Sequence, residues 1–472
     1  MIYRCLILLL LSITGQAADQ PNVLFIVVDD LRASVGILGD QLAKTPQIDA
    51  LGQRGIVFTN AHCQIAICNP SRASVMTGMR PDTLRVWGLK KHFREEKPNV
   101  VTLPQLFKQN GYHTHSIGKI FHGSGKPSKD PLSWSEQPEL DSSEKKEQYR
   151  LLKNRTGGKA SAAELAECHD NDYIDGKVAD AAIRKLRQFR QRDQPFFLAV
   201  GFRKPHMPFS APAKYWAIHD RAQLGKPRNP AMPQGAPSIA AHNWREARGY
   251  NDIPNNGPLS DEKIAELRHG YYAATSYTDA QLGRVLDELK RLGLEQTTVI
   301  SLYSDHGFHV GEHNLWGKLT NYDVGTRVPL LFVAPSRNTK GRVVRQAVEL
   351  LDLYPTLADL CSLKKPTGLE GKSLLPQFDN NQVESTHFAL SQFPRPVSYD
   401  FSRGNPKNMG YSVRTDRYRY TQWIEFKSGA VLAEEFYDYT KNEWEKVNLI
   451  NVLRYAEIIE ELRHRLEDRI RN

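Results

Sequence analysis

Cysteine is scarce in this 472-residue chain: five residues, at 5, 63, 68, 168 and 361, too few and too scattered for a disulfide framework. A long apolar run is also missing. The stretch from Cys5 to Ile13 is too short to span a bilayer, which argues against stable membrane insertion. Dense lysine and arginine blocks are absent as well. The balance of 63 basic against 53 acidic residues, +10, is a modest bias toward anionic partners and does not indicate nucleic acid. No internal repeat marks a solenoid or propeller. Hydrophobic and charged fractions of 40% and 25% are ordinary for a folded protein and exclude general disorder.

What is present begins with Met1-Ile2-Tyr3-Arg4, the apolar run, and the small residues Gly15 to Ala18. Residues 1–18 read as an export signal that carries Cys5 away. The protein is then periplasmic or secreted, or lysosomal if eukaryotic. Residues 19–376 read as a large α/β catalytic unit. Residues 377–472 read as a smaller subdomain with antiparallel strands and a terminal helix.

The unbroken apolar run Asn22 to Val28 predicts a strand buried on both faces of a mostly parallel sheet. Asp29-Asp30 follows directly, where α/β sheets place ligands, or else as an Asx-type turn. Further strands are expected at Tyr112 to Ile117, Pro195 to Phe202, Thr297 to Tyr303 and Val328 to Val333. Their ends carry Lys119 and His122, Lys204 and His206, and Asp305-His306. Helices are expected from Pro46 to Gly55, Asp172 to about Arg192, and Asp261 to Leu292. Residues 123–167 and 214–258 read as polar, irregular surface excursions. In the last stretch, Ile458, Leu462, Leu466 and Ile470 recur every four residues as the seam of an amphipathic helix.

Each strand-end residue has an ordinary structural reading by itself. Together they bring three carboxylates, Asp29, Asp30 and Asp305, near one point with histidines and lysines. Such an oxygen-rich set selects a hard cation, Ca²⁺ before Mg²⁺, while His306 leaves room for a transition metal. The segment Cys68-Asn69-Pro70-Ser71-Arg72 adds a thiol at a helix start, with an arginine one turn on. Cys63, close by, reads as a buried small residue or as half of a strained local bridge.

The stretch C-N-P-S-R resembles the signature of the type I sulfatases, in which the cysteine becomes formylglycine. N-V-L-F-I-V-V-D-D-L-R, G-M-R-P-D-T, S-I-G-K-I-F-H, K-P-H-M-P-F, S-D-H-G-F-H-V-G-E-H and W-G-K-L-T-N-Y-D-V extend the resemblance over about residues 22–376. They place the chain nearest iduronate-2-sulfatase and its bacterial relatives. The resemblance implies an alkaline-phosphatase-like fold, with a large mostly parallel sheet between helices. It implies one Ca²⁺ held by Asp29, Asp30, Asp305, His306 and the modified Cys68. It gives Arg72 and Lys119 to the modified side chain and the sulfate, and His122 to its second hydroxyl. His206 and Lys318 would stand at the sulfate and leaving group. Implied partners are a sulfated oligo- or polysaccharide and a formylglycine-generating enzyme. The implied reaction is hydrolysis of 2-O-sulfate esters of uronic acids in heparin- or dermatan-like chains. Alternatives are a sulfatase for another polysaccharide such as an algal one, a phosphonate or phosphodiester hydrolase, and a non-catalytic sulfated-glycan binder.

Overall fold

The computed structural model describes residues 20–123, 129–141, 148–155, 158–379, 388–402, 404–440 and 445–471. The expected export signal lies outside them. The central sheet runs, in spatial order, Arg342–Val344, Ile56–His62, Arg327–Val333, Thr298–Ser304, Asn22–Val28, Phe196–Phe202 and His113–Gly118, with Val348–Glu349 also beside Ile56–His62. Only Arg327–Val333 runs against the rest. The expected mostly parallel sheet is therefore correct. The consequence is directional: the five other long strands all end on one edge.

Alternation along Asn22–Val28 divides the core. Val23, Phe25 and Val27 pack with Ala73, Val75, Leu353 and Leu357 on one face. Leu24, Ile26 and Val28 pack with Val178, Ala182, Leu282 and Val285 on the other. The helices Ile174–Phe189 and Asp261–Arg291 cover the second face, close to their expected bounds. Each fully buried Val, Leu, Ile or Phe contributes about 1.5–3 kcal/mol. Six in one strand anchor the backbone firmly enough to hold Asp30 at φ 61°, a left-handed conformation that costs about 1–3 kcal/mol.

The structure adds one strand and corrects one expectation. The segment between the first helix and the signature is a strand, Ile56–His62, lying between Arg342–Val344 and Arg327–Val333. The irregular excursions are more than surface. Ala163–Ala166 pairs with Phe209–Pro212, and Trp216, Trp244, Tyr250 and Ile253 form an aromatic core with Tyr271 and Tyr277 of the long helix.

The C-terminal sheet is antiparallel throughout, in the order Ala389–Arg395, Asn408–Arg414, Tyr418–Glu425 and Val431–Asp438. It is stitched to the central region where Ser391 Oγ donates to the Cys63 carbonyl at 2.6 Å and Gln392 N donates to the Gln64 carbonyl at 2.7 Å. The terminal helix Ala456–Arg471 buries Ile459, Leu462 and Leu466, with Ile458 and Ile470 at the margin. The real seam follows the 3.6-residue period; a strict four-residue step drifts off it. Among the described residues no helix is long and apolar enough to cross a membrane.

Candidate active site

The signature helix spans Cys68–Thr77 and is buried along its whole length. Cys68 is its first residue, 2% exposed, after an extended Ile67. Three tethers fix it. Ser71 Oγ donates to the Asp305 carbonyl at 2.5 Å, and Asn69 Nδ2 donates to the carbonyls of Gly88 and Lys91, both at 2.8 Å. Asn69, which reads from sequence as a variable position, thus ties the helix to the following loop.

The strand ends deliver the other groups. One ligand atom each from Asp29, Cys68, Asp305 and His306 lies within 4.8 Å of the others, and the same holds for Asp29, Asp30, Cys68 and His206. The Cys68 Sγ is 3.2 Å from His306 Nε2 and 3.5 Å from Lys119 Nζ. Ser304 Oγ accepts from Leu31 N at 2.9 Å, and Asp305 Oδ1 accepts from Asp30 N at 3.1 Å, so the two acidic loops lock together.

Arg72 is fully buried. Its Nε donates to Asp305 at 2.8 Å, one terminal nitrogen to Asp29 at 2.9 Å, and the other to the carbonyls of Lys119 and Ile120. Most of the guanidinium fork is therefore engaged in aligning the two carboxylates. Lys119 reaches Asp29. Lys318 bridges both oxygens of Asp30, at 3.0 and 2.8 Å, between Gly317 at φ 119° and Leu319 at φ 75°.

Burial would raise Asp29, yet Lys119 and Arg72 hold its carboxyl well below the usual range. Asp30 goes the other way. Burial pushes it up, and the neighbouring Asp29, Glu246 and Asp305 charges add to this against Lys318. Burial lowers His306 to about 4, leaving a neutral ring. Its Nδ1 faces the Gly307 carbonyl at 3.0 Å, so the Nε2 lone pair points into the cluster. Crowded carboxylates that repel one another and a neutral imidazole lone pair fit a divalent cation. Burial drives the Cys68 thiol well up, with Asp29 and Asp305 adding to it. A cysteine acting as a thiolate needs the opposite environment.

His122 is kept neutral by burial and by Lys119, and its buried Nδ1 has no hydrogen-bond partner among the described residues. His206 lies on a loop whose Lys204-Pro205 and Met207-Pro208 bonds are both cis. Its Nδ1 donates to the Met207 carbonyl at 2.6 Å, which leaves Nε2 facing the site. Lys204 is turned away from the site. It braces this loop through the carbonyls of His206 and Pro208, at 3.1 and 2.5 Å, and burial lowers it to about 7. Asp175, at the start of the helix Ile174–Phe189, accepts from the backbone of Arg203 and Lys204 at 2.7 and 2.8 Å.

Sequence reasoning missed Glu246. It comes from the second excursion and lies 3.3 Å from His206 Nε2 and 3.1 Å from Lys318 Nζ. The only local signal is an acid two residues after a tryptophan in a stretch otherwise read as loop.

The geometry can be set beside known proteins. The sulfatase family profile matches residues 21–363, and the C-terminal profile of N-sulphoglucosamine sulphohydrolase matches 311–472. Iduronate 2-sulfatase of Homo sapiens is 35% identical over 482 residues, covering 89% of this chain and 88% of its own. A solved 2-O GAG sulfatase superposes with a TM-score of 0.73 at 23% identity, covering 96% of this chain and 92% of that one. The phosphonate monoester hydrolase of Agrobacterium radiobacter reaches a TM-score of 0.78 at 22% identity, with 95% of each chain covered. Both show the shared alkaline-phosphatase-like architecture. With a family match over most of its length and the signature cysteine at the centre of the strand-end cluster, the chain belongs to the sulfatase family.

Proposed function

We propose that this enzyme removes 2-O-sulfate from uronic acid residues, iduronate foremost, of heparin- or dermatan-like glycans, with Cys68 as formylglycine and Ca²⁺ as the metal. The observation that carries the chemistry is the meeting of Cys68, Asp29, Asp305 and His306 within one 4.8 Å group, with Lys119 and Lys318 beside it. The position of the ester is supported by two relatives whose names specify it, iduronate 2-sulfatase and a 2-O GAG sulfatase. A wall of the site suits a polyhydroxylated anion. The exposed Arg245 guanidinium stacks 5.0 Å from the Tyr399 ring, whose buried hydroxyl has no hydrogen-bond partner among the described residues. The reading includes export of the chain by its first 18 residues.

Asp29, Asp30, Asp305 and His306 would hold the ion, which supplies positive charge against the sulfuryl oxygens. Cys68, as formylglycine, would supply geminal hydroxyls for attack on sulfur and for release of sulfate. Around them the chain's own residues act in sequence. Arg72 keeps Asp29 and Asp305 in register. Lys119 and Lys318 face the growing negative charge on sulfate oxygens in a site shielded from water. Lys318, kept an ammonium by Asp30 and Glu246, gives a proton to the departing sugar oxygen, and His206, with Nδ1 fixed, directs Nε2 at the same point. His122, held neutral, takes the proton whose loss releases sulfate. One such proton transfer contributes roughly 10²–10⁴-fold.

The test is a panel of sulfated disaccharides, with a phosphonate ester included, read by free sulfate or phosphonate. Release from 2-O-sulfated uronate is expected. Release only from other positions, other polysaccharides or the phosphonate ester overturns the substrate assignment. Mass spectrometry of the Cys68 peptide is expected to show the aldehyde, and an intact thiol in active protein overturns the nucleophile.

A further inference from the structure

Glu246 is the one acid of this neighbourhood that touches neither the signature cysteine nor the three aspartates. Its two carboxylate oxygens go to two different residues, Oε1 to His206 Nε2 and Oε2 to Lys318 Nζ. Those are the two groups placed at the leaving oxygen. A carbonyl already takes the Nδ1 proton of His206. A carboxylate facing the other nitrogen holds the ring at its second end, so that both nitrogens of His206 are fixed in place. Lys318 is pulled from two sides, by Asp30 and by Glu246. Removing one partner lets the flexible ammonium settle wholly on the other.

The segment that carries Glu246 is built to aim it. Trp244 is buried and its Nε1 donates to the Asn314 carbonyl at 2.8 Å. Arg248 stacks over the Trp244 ring at 4.1 Å and donates to the carbonyls of Asn243, Pro254 and Gly257. Lys159 donates to the Glu246 carbonyl at 3.0 Å and sits 4.7 Å over the Tyr250 ring. The Glu246 side chain is 13% exposed, and a carboxylate that buried requires partners. Burial would raise it, but Lys318 and His206 hold it ionised.

We infer that Glu246 is a positioning residue for leaving-group departure, clamping His206 Nε2 and Lys318 Nζ at a common point. The inference rests on the roles given to His206 and Lys318 above. It explains why an excursion with only a single 3-10 turn at this point, Ala247–Gly249, is nevertheless packed on buried aromatic residues.

Steady-state kinetics of Glu246→Ala and Glu246→Gln, on whichever sulfate ester the wild type hydrolyses best, test it. Melting curves and the extent of Cys68 conversion are measured in parallel. Glu246→Ala is expected to lower kcat about 100-fold with KM within about 3-fold. Glu246→Gln, which keeps the shape and one acceptor, is expected to recover part of that and to stay about 10-fold below wild type. If the alanine variant fails to fold, the glutamine variant decides: a kcat equal to wild type overturns the inference. A loss confined to KM also overturns it, because it makes Glu246 a sugar contact. Failure of the substrate reading shows separately, in the wild-type enzyme's inactivity on 2-O-sulfated uronate.

Discussion

Two of the clusters of buried charge among the described residues differ in kind. Where the C-terminal sheet meets the central region, Arg419 pairs with Glu445 at 2.8 Å and stacks on Tyr322 and Tyr437, each at 4.8 Å. Asp323 takes Arg327 at 2.8 Å and Arg414 at 3.2 Å, and Arg414 lies 3.7 Å over the Tyr439 ring. Charges there are matched one against another and covered by aromatic faces. At the strand ends the acids crowd together and share a focus with a thiol and neutral histidines. Buried charge by itself marks structure as often as function. Convergence of like charges on a reactive side chain is the distinguishing feature.

The comparison can be broken hardest at its reactive centre. Cys68→Ala is expected to cut turnover roughly 10⁴–10⁶-fold, with melting temperature and glycan binding retained; substantial turnover in that variant excludes Cys68 as the nucleophile's source. Next comes metal removal. Exhaustive chelation is expected to lower the rate at least about 100-fold, with recovery on added Ca²⁺. It should also lower the melting temperature, since a ligand at 100 times its Kd stabilises by about 2.7 kcal/mol. Activity surviving chelation removes the metal from the account.

The second cluster should respond in the opposite sense. Arg419→Met leaves the buried Glu445 without its arginine, an expected cost of about 3–5 kcal/mol in chemical denaturation with kcat per folded molecule unchanged. A fall in kcat at wild-type stability would erase the distinction between the clusters. The smallest expected effect is on pH. His62, beside Asp323, bonds Thr326 Oγ1 at 3.1 Å and Asn60 Oδ1 at 2.8 Å, and burial lowers it to about 3. The native ring binds its proton more weakly than the unfolded one near 6.5, so its stabilisation is complete above pH 6.5. It is lost as pH falls toward 3. His62→Gln should flatten the decline in melting temperature between pH 6.5 and 4 by a few degrees, and an unchanged slope would show that other groups govern acid stability.

Most of the strand-end constellation is readable in the sequence, because apolar runs locate buried strands and parallel strands share an edge. Asp29, Asp30, Lys119, Asp305 and His306 all fall at such ends. Cys68 and Arg72 were readable from local spacing around Pro70. The antiparallel reversal at Arg327–Val333 was not, since a buried strand carries the same apolar pattern in either direction. Glu246 was illegible for a different reason. It reaches the site by tertiary packing of an excursion whose own sequence has no period, and its partners lie 40 and 72 residues away in the chain. Arg72 shows a subtler gap: its place was evident, while the commitment of its fork to Asp29 and Asp305 depends on orientation alone.

The burial of Cys68 also sets a clock. Its helix is covered on every side, Ser71 is bolted to the Asp305 loop, and Asn69 to the loop at Gly88 and Lys91. An enzyme that converts Cys68, as the proposed function requires, meets a side chain only 2% exposed once the sheet has closed over it. Under the proposed function, conversion of Cys68 competes with folding, and a chain that folds before conversion is expected to be inert. Variants that slow assembly around the signature helix should emerge with a higher converted fraction, and rapid refolders with a lower one.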